Sequence, residues 1–235
     1  MNIIKQILKI NWLFTLYFNF HYLPLKQAIK LPIFLYKPKL LKCSGKVIIE
    51  TETIKPGMIR LGEYTVSLYP NKGMVWENHG GKVIFKGKCS IGNSSAISIG
   101  INGCCIIGNN FSATTSFKLT SYHHLEFGEN VLIAWDVIVM DTSFHRMKDM
   151  NGNFKGKGYA PVVIGKNNWI TTRCMILSGT KTPDYCIIGA GSILNKDYSS
   201  FPTHIFLAGN PVEIKAEGIW RDALDHDIQY YDSSL

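Results

Sequence analysis

The chain has 235 residues, 46% of them hydrophobic, and a formal net charge of +8. This allows a sizeable core in one or two domains, and the charge favours anionic partners: a phosphorylated cofactor, an acidic glycan or an anionic membrane surface. The basic residues are scattered and no RNA- or DNA-binding signature accompanies them, which sets nucleic acid aside. Six cysteines (43, 89, 104, 105, 174 and 186) form no CxxC or Cys/His metal spacing. Reduced thiols in a compartment without disulfides point to the cytoplasm.

Residues 1–40 are rich in aromatics, leucine, isoleucine and lysine. A helix is predicted up to Tyr22, because Pro24, Pro32 and Pro38 break any continuation of it. The apolar run 12–20 is too short to span a membrane, and no small-residue cleavage site marks a signal peptide. Two roles stay open. The segment covers the open end of the main body of the chain, or it lies on a membrane as an interfacial helix. In the second case residues 1–22 contact the inner face, with Lys5, Lys9, Lys26 and Lys30 toward anionic headgroups. Residues 41–84 hold β-like fragments, KVIIE and MIRLG, broken by KPG and YPNKG turns. They read as irregular early β-coils without a legible register.

From Phe85 apolar residues recur every sixth position: Phe85, Ile91, Ile97; then Ile107, Ala113, Leu119; then Phe127, Ile133, Val139. The pattern restarts at Ile164, Ile170 and Ile176, with Thr182 in the next place, then Ile188 and Leu194. Four residues after many of these sits a compact side chain, among them Cys89, Ser95, Asn168, Cys174, Thr180, Cys186 and Ser192. A period of six is neither helical nor that of an ordinary strand. It suits a triangular coil in which three hexapeptides close one turn of eighteen residues, with coils ~4.8 Å apart. Ile164 then stacks under Thr182, Ile170 under Ile188 and Ile176 under Leu194. Cysteines at the compact positions act as small apolar fillers. The β-helix body is predicted over 85–211, and the ladder stops across 141–161, a glycine-containing polar stretch that reads as a loop leaving the coil. Residues 212–235 read as a polar tail with a short helix over 216–226.

The pieces FGENVLIAWDVIV, MDTSFH, VVIGKNNWI, IIGAGSIL and LAGNP occur in that order across roughly residues 85–220. In order and spacing they resemble the hexapeptide-repeat acyltransferases, which are built on a left-handed parallel β-helix. The resemblance implies an all-β fold of that hand, acetyl-CoA as co-substrate, a homotrimer, and sites formed where two subunits meet. It matches the family's catalytic histidine to His145, and its CoA contacts to Thr172, Ala190 and Asn195. Gly191 beside Ala190 would let a pantetheine arm lie on the backbone, and Lys196 and Lys215 are available for the phosphates. Glu213 and Ala216 stand where some relatives carry arginine.

An imidazole suits a general base at neutral pH, and His145 sits four residues after Asp141, where the repeat ends. The plainer reading is an exposed loop histidine. Asp141 either fixes the imidazole tautomer through a hydrogen bond or caps the loop. His123 and His124, in an earlier corner loop, line an acceptor pocket or decorate the surface. Trp135 replaces a proline common in the family's turn. Its indole, with Phe144 in the loop, can stack on a sugar ring, or Trp135 simply packs. Backbone N–H groups in the coil turns can hold an oxyanion. Acetyl transfer to a sugar hydroxyl, in a surface polysaccharide or its precursor, is the preferred reading, with no metal expected. The alternatives are a small-molecule acceptor of serine or xenobiotic type, a metal enzyme like the γ-carbonic anhydrases, and a non-catalytic scaffold.

Overall fold

The computed structural model describes residues 7–222. Within them the chain winds through short strands that fall into three parallel sheets, the three faces of a prism. Each turn of the coil visits the first, second and third face in that order.

The six-residue period becomes three columns of buried side chains. On the first face Leu35, Leu61, Ile91, Ala113, Ile133, Ile170, Ile188 and Leu207 stand in register. On the second face the column is Trp76, Ile97, Leu119, Val139, Ile176 and Leu194. On the third it is Ile49, Phe85, Ile107, Phe127 and Ile164. All of these are buried, and the valine, leucine, isoleucine and phenylalanine side chains each contribute roughly 1.5–3 kcal/mol by leaving water. The predicted stacking of Ile170 under Ile188 and Ile176 under Leu194 is present. Thr182 takes its place above Ile164: the Val163–Lys181 bridge sets that register, and the Thr182 hydroxyl accepts the Gly165 N–H at 3.1 Å.

The corners are turned by residues with positive φ. At the corner between the first and second faces these are Ser94, Ser116, Asp136, Arg173 and Gly191. Between the third and first faces they are Asn110, Asn130, Asn167, Tyr185 and His204. Asparagine tolerates this backbone region better than most residues. Here the asparagines also form a ladder, Asn110 donating to Asn130 at 3.0 Å and Asn130 to Asn167 at 3.0 Å. Cys89, Cys105, Cys174 and Cys186 are buried and all six cysteines are free. Burial pushes the Cys186 thiol up to about 12, so it is an inert filler.

Parallel coils begin at Ile33–Leu35, upstream of the point where the period becomes readable. Two insertions, 50–58 and 64–73, separate the early strands and break the six-residue spacing. The helix Trp12–Tyr22 lies on the first coil. Its buried polar residues saturate the edge strand. Thr15 accepts the Leu35 N–H at 3.0 Å, and Asn19 accepts the Ile33 N–H at 3.1 Å while donating to the Ile33 carbonyl at 2.7 Å. Phe18 packs edge-on to Trp76, with ring centroids 5.0 Å apart.

At the far end the expected polar tail and helix are corrected. Val212–Glu217 is a strand, antiparallel to Ile205–Gly209. Val212, Ile214 and Ala216 are half-buried while Glu213, Lys215 and Glu217 are exposed, the alternation of a strand. Positions 223–226 of the predicted helix lie outside the described residues. The loop 141–161 also has structure of its own. Met147–Lys148 pairs antiparallel with Phe154–Lys155, and Asp149 caps the turn between them.

Candidate active site

The loop leaves the prism at the corner between the second and third faces. Its root is Asp141, which is fully buried. The carboxylate accepts the Tyr122 N–H at 2.8 Å, the His123 N–H at 2.9 Å and the Ser121 hydroxyl at 3.3 Å. The expected hydrogen bond from His145 to Asp141 is absent, because the preceding coil already occupies the carboxylate. Ser143 and Thr142 continue the anchoring. The Ser143 hydroxyl donates to the His145 carbonyl at 2.8 Å, and the Thr142 hydroxyl accepts the Phe144 N–H at 3.0 Å. The backbone of His145 is thus fixed while its side chain is exposed, and among the described residues no group hydrogen-bonds its ring. Phe144, at positive φ, packs edge-on to Tyr122 at 4.9 Å. His123 lies against Tyr159 on the returning limb, at 4.8 Å. His124 is not in a corner loop: it opens the strand His124–Phe127 and faces Glu126 at 3.5 Å.

A second feature lies at the corner between the first and second faces. An open groove of about 570 Å³ is lined by Leu68, Tyr69, Trp135, Thr172, Arg173, Ala190 and Gly191. Four residues expected to bind cofactor or acceptor meet there for a geometrical reason. Trp135, Thr172 and Ala190 occupy the same corner position on three successive coils. The Trp135 carbonyl accepts the Arg173 N–H at 2.9 Å and the Thr172 hydroxyl at 3.0 Å, and the Thr172 carbonyl accepts the Gly191 N–H at 3.0 Å. A Cβ at Gly191 would meet nothing within 4 Å, so this edge of the groove is open backbone.

The remaining candidates lie elsewhere. Asn195 and Lys196 follow Ile193–Leu194 on the loop's corner, both exposed. Lys215 is on the closing strand, paired with Glu213 at 2.8 Å. Within one chain, then, the predicted base and the predicted thioester groove occupy different corners, separated by the second face. No three His, Cys, Asp or Glu side chains among the described residues converge as a metal set.

No family model matches the chain. It is 33% identical over 126 residues to the galactoside O-acetyltransferase of Escherichia coli K12, covering 53% of this chain and 57% of that one. It is 28% identical over 98 residues to a probable acetyltransferase of Mycobacterium tuberculosis, covering 41% and 31%. Among solved structures, the polySia-specific acetyltransferase NeuO superposes with a TM-score of 0.53 over 81% of this chain and 91% of that one. At 18% identity this likeness speaks for the fold alone. The chain is related to the hexapeptide-repeat acyltransferases. Its prism is their left-handed parallel β-helix. The chain spans less than two thirds of the length of either curated relative.

The β-helix brings into the groove residues that the sequence reading missed. Arg173 supplies a cation, and Leu68 and Tyr69 form a wall contributed by the 64–73 insertion of a much earlier coil. Tyr69 donates to Asp136 at 2.6 Å and packs edge-on to Trp135 at 6.0 Å. Burial alone would raise the Asp136 pKa, but hydrogen bonds from Tyr69 and Ser116, with Arg173 and Lys118 nearby, hold it below the usual carboxylate value. The Tyr69 phenol is raised, chiefly by the same hydrogen bond. A signal for Arg173 was present: Asp136, Arg173 and Gly191 each come directly after a member of the Trp135, Thr172, Ala190 column. No local pattern pointed to Leu68 and Tyr69.

Proposed function

We propose that the chain transfers an acetyl group from acetyl-CoA to a hydroxyl of a sugar, in a surface polysaccharide or its precursor. The reading rests on one arrangement: an anchored His145 with a free imidazole at one corner, and a groove open along Ala190 and Gly191 at another. In the reaction the imidazole takes the hydroxyl proton as the acceptor oxygen forms its bond to the thioester carbonyl carbon. The tetrahedral intermediate then collapses, the C–S bond breaks, and the imidazolium returns the proton to the departing CoA thiolate. Turn N–H groups are the donors available to the oxyanion. Asp141 acts as a positioning residue, holding the root of the loop.

The pantetheine arm would lie along Thr172, Ala190 and Gly191, with Arg173 and Lys196 available to phosphates. Trp135 and Phe144 would offer faces to the acceptor ring. The split between corners supports a homotrimer in which the loop of one subunit faces the groove of the next, since closed cyclic symmetry satisfies every such contact. Free buried thiols and the lysine-rich N-terminal segment support a cytoplasmic protein at the inner face of the membrane. The name of the sequence relative, a galactoside O-acetyltransferase, supports a glycan acceptor over a small amino-acid acceptor.

The test is acetyl-CoA cleavage with and without oligosaccharide acceptors, alongside sedimentation. The expected result is acceptor-dependent thioester cleavage by a species three times the 26.4 kDa chain mass. A monomer at micromolar concentration, or cleavage indifferent to every sugar, would overturn the reading.

A further inference from the structure

The helix Trp12–Tyr22 is amphipathic in the inverted sense. Its buried face carries Thr15, Phe18 and Asn19, two of them polar and committed to the edge of the first coil. Its outer face carries Leu13, Leu16, Tyr17 and Phe20, spaced i, i+3, i+4, i+7 in one stripe. Leu13 is 76% exposed and Phe20 50%. The short helix Leu25–Ala28 and its C-cap extend this surface with Leu25 and Ile29, 68% and 63% exposed. Capping the coil needs only the inner row, so the outer row is an unpartnered apolar surface of a kind that marks a binding face.

Charge identifies what covers it. Residues 1–49 contain eight lysines, no arginine and no aspartate or glutamate. The rest of the chain holds 17 basic and 17 acidic residues, so the entire formal charge of +8 belongs to this end. Lysines recur throughout the sequence; what distinguishes this end is the lack of acids to balance them. Lys9, Lys26 and Lys30 neighbour the apolar stripe in sequence and are solvent-exposed. No helix among the described residues is long and apolar enough to cross a membrane.

We propose that this end of the prism docks on an anionic lipid bilayer. Leu13, Leu16, Tyr17, Phe20, Leu25 and Ile29 enter the headgroup–acyl boundary while the lysines pair with lipid charge. The β-helix then stands on the membrane by its capped end. The proposal goes beyond the acetyl-transfer reading and does not depend on it, although a lipid-linked glycan would be presented at this surface.

The experiment is co-sedimentation of the full chain with vesicles of phosphatidylcholine alone or mixed with phosphatidylglycerol, at low and high salt, with no catalytic readout. The expected result is binding to the mixed vesicles, weakened about tenfold or more by salt or by omitting the anionic lipid. Leu13→Gln/Leu16→Gln/Phe20→Gln should abolish binding to both, with an unchanged circular dichroism spectrum because these side chains lie outside the core. Lys26→Glu/Lys30→Glu, which leaves the apolar stripe intact, should remove the preference for anionic lipid. Equal binding to both vesicle types, no binding, or binding unchanged in both variants would overturn the proposal. So would end-to-end self-association, dissolved by the leucine and phenylalanine substitutions, without vesicle binding: the occupant would then be a second copy of the chain.

Discussion

The corner that releases loop 141–161 and the corner that forms the groove belong to the same coils, yet they are held in different ways. At the groove corner the chain never leaves the prism. Short turns repeat on successive coils, bonded backbone to backbone, and at Ala190 and Gly191 they leave an open edge. At the loop corner the repeat is abandoned for some twenty residues, and the root is secured by side chains on backbone, chiefly Asp141 and Ser143. Repetition gives a rigid column suited to something long and extended. Interruption lifts His145 out of the column and leaves its ring exposed, as the proposed reaction requires. The predictions separate these two contributions.

The largest effect should come from His145→Ala. General-base assistance contributes ~10²–10⁴-fold in rate, roughly 3–5 kcal/mol of barrier. The substitution should lower kcat by about that factor and leave acetyl-CoA affinity nearly unchanged, since the groove corner is untouched. Steady-state kinetics with a direct binding measurement check this. A variant that stays folded and keeps wild-type kcat would move attention to His123, which lies beside the loop.

Ala190→Trp tests the other corner. Ala190 is exposed at the groove edge, so an indole there should fill the groove without disturbing the column. Acetyl-CoA binding should weaken by about two orders of magnitude, the loss of a few kcal/mol of contact. Residual turnover at saturating cofactor should approach wild type. A fall in kcat with unchanged affinity would contradict the assignment of cofactor to this corner.

Asp141→Asn should have a smaller effect than either. Asparagine keeps one acceptor oxygen but turns an amide donor toward the N–H and hydroxyl donors of Ser121, Tyr122 and His123. Hydrogen bonds to a charged group contribute about 1.5–3 kcal/mol, and a donor left unsatisfied costs a similar amount. Amide exchange across 141–161 should accelerate and kcat fall about tenfold, with groove amides unaffected.

The fold is legible in the sequence wherever the spacing is regular. Ile91, Ile133, Ile170 and Ile188 announce their column because six residues separate one face from the next in the coils around them. Leu35, Leu61 and Trp76 belong to the same columns but are hidden: the 50–58 insertion lies between Ile49 and Leu61, and the 64–73 insertion between Leu61 and Trp76. The second insertion that obscured the repeat also supplies Leu68 and Tyr69, so the missed coils and the missed groove wall share one cause. His145 was conspicuous because the ladder stops just before it. The engagement of Asp141 was not readable, since its partners lie 18 to 20 residues upstream in sequence and become its neighbours only when the coil closes. The strand Val212–Glu217 was legible in its alternation but was outweighed by its polarity.

The smallest effect should come from Tyr69, one of several hydrogen-bonded struts between the inserted wall and the coils: Thr65 also donates to the Thr114 carbonyl at 2.9 Å, and the Pro70 carbonyl accepts from Asn93 at 3.0 Å and Ser94 at 2.7 Å. Tyr69→Phe keeps the ring against Trp135 and removes only the donor to Asp136. The pair is solvent-accessible, so screening keeps its worth below about 1 kcal/mol. Acetyl-CoA affinity should fall only about two- to fivefold, a modest change beside that of Ala190→Trp. The pH dependence gives a sharper readout. Asp136 is depressed in the fold, so its contribution is present above the unfolded value of about 3.9 and is lost as pH falls through the lower folded value. Tyr69 is raised, so its contribution is present below the unfolded value of about 10 and is lost as pH rises through the higher folded value. Between these limits the strut holds. Amide exchange of residues 64–73, corrected for intrinsic rates, should therefore rise in the wild type as pH falls below about 4, while the Tyr69→Phe chain should exchange faster at neutral pH and lack the acid step. An acid step that survives in Tyr69→Phe would mean that a group other than the Tyr69–Asp136 pair makes the wall sensitive to acid.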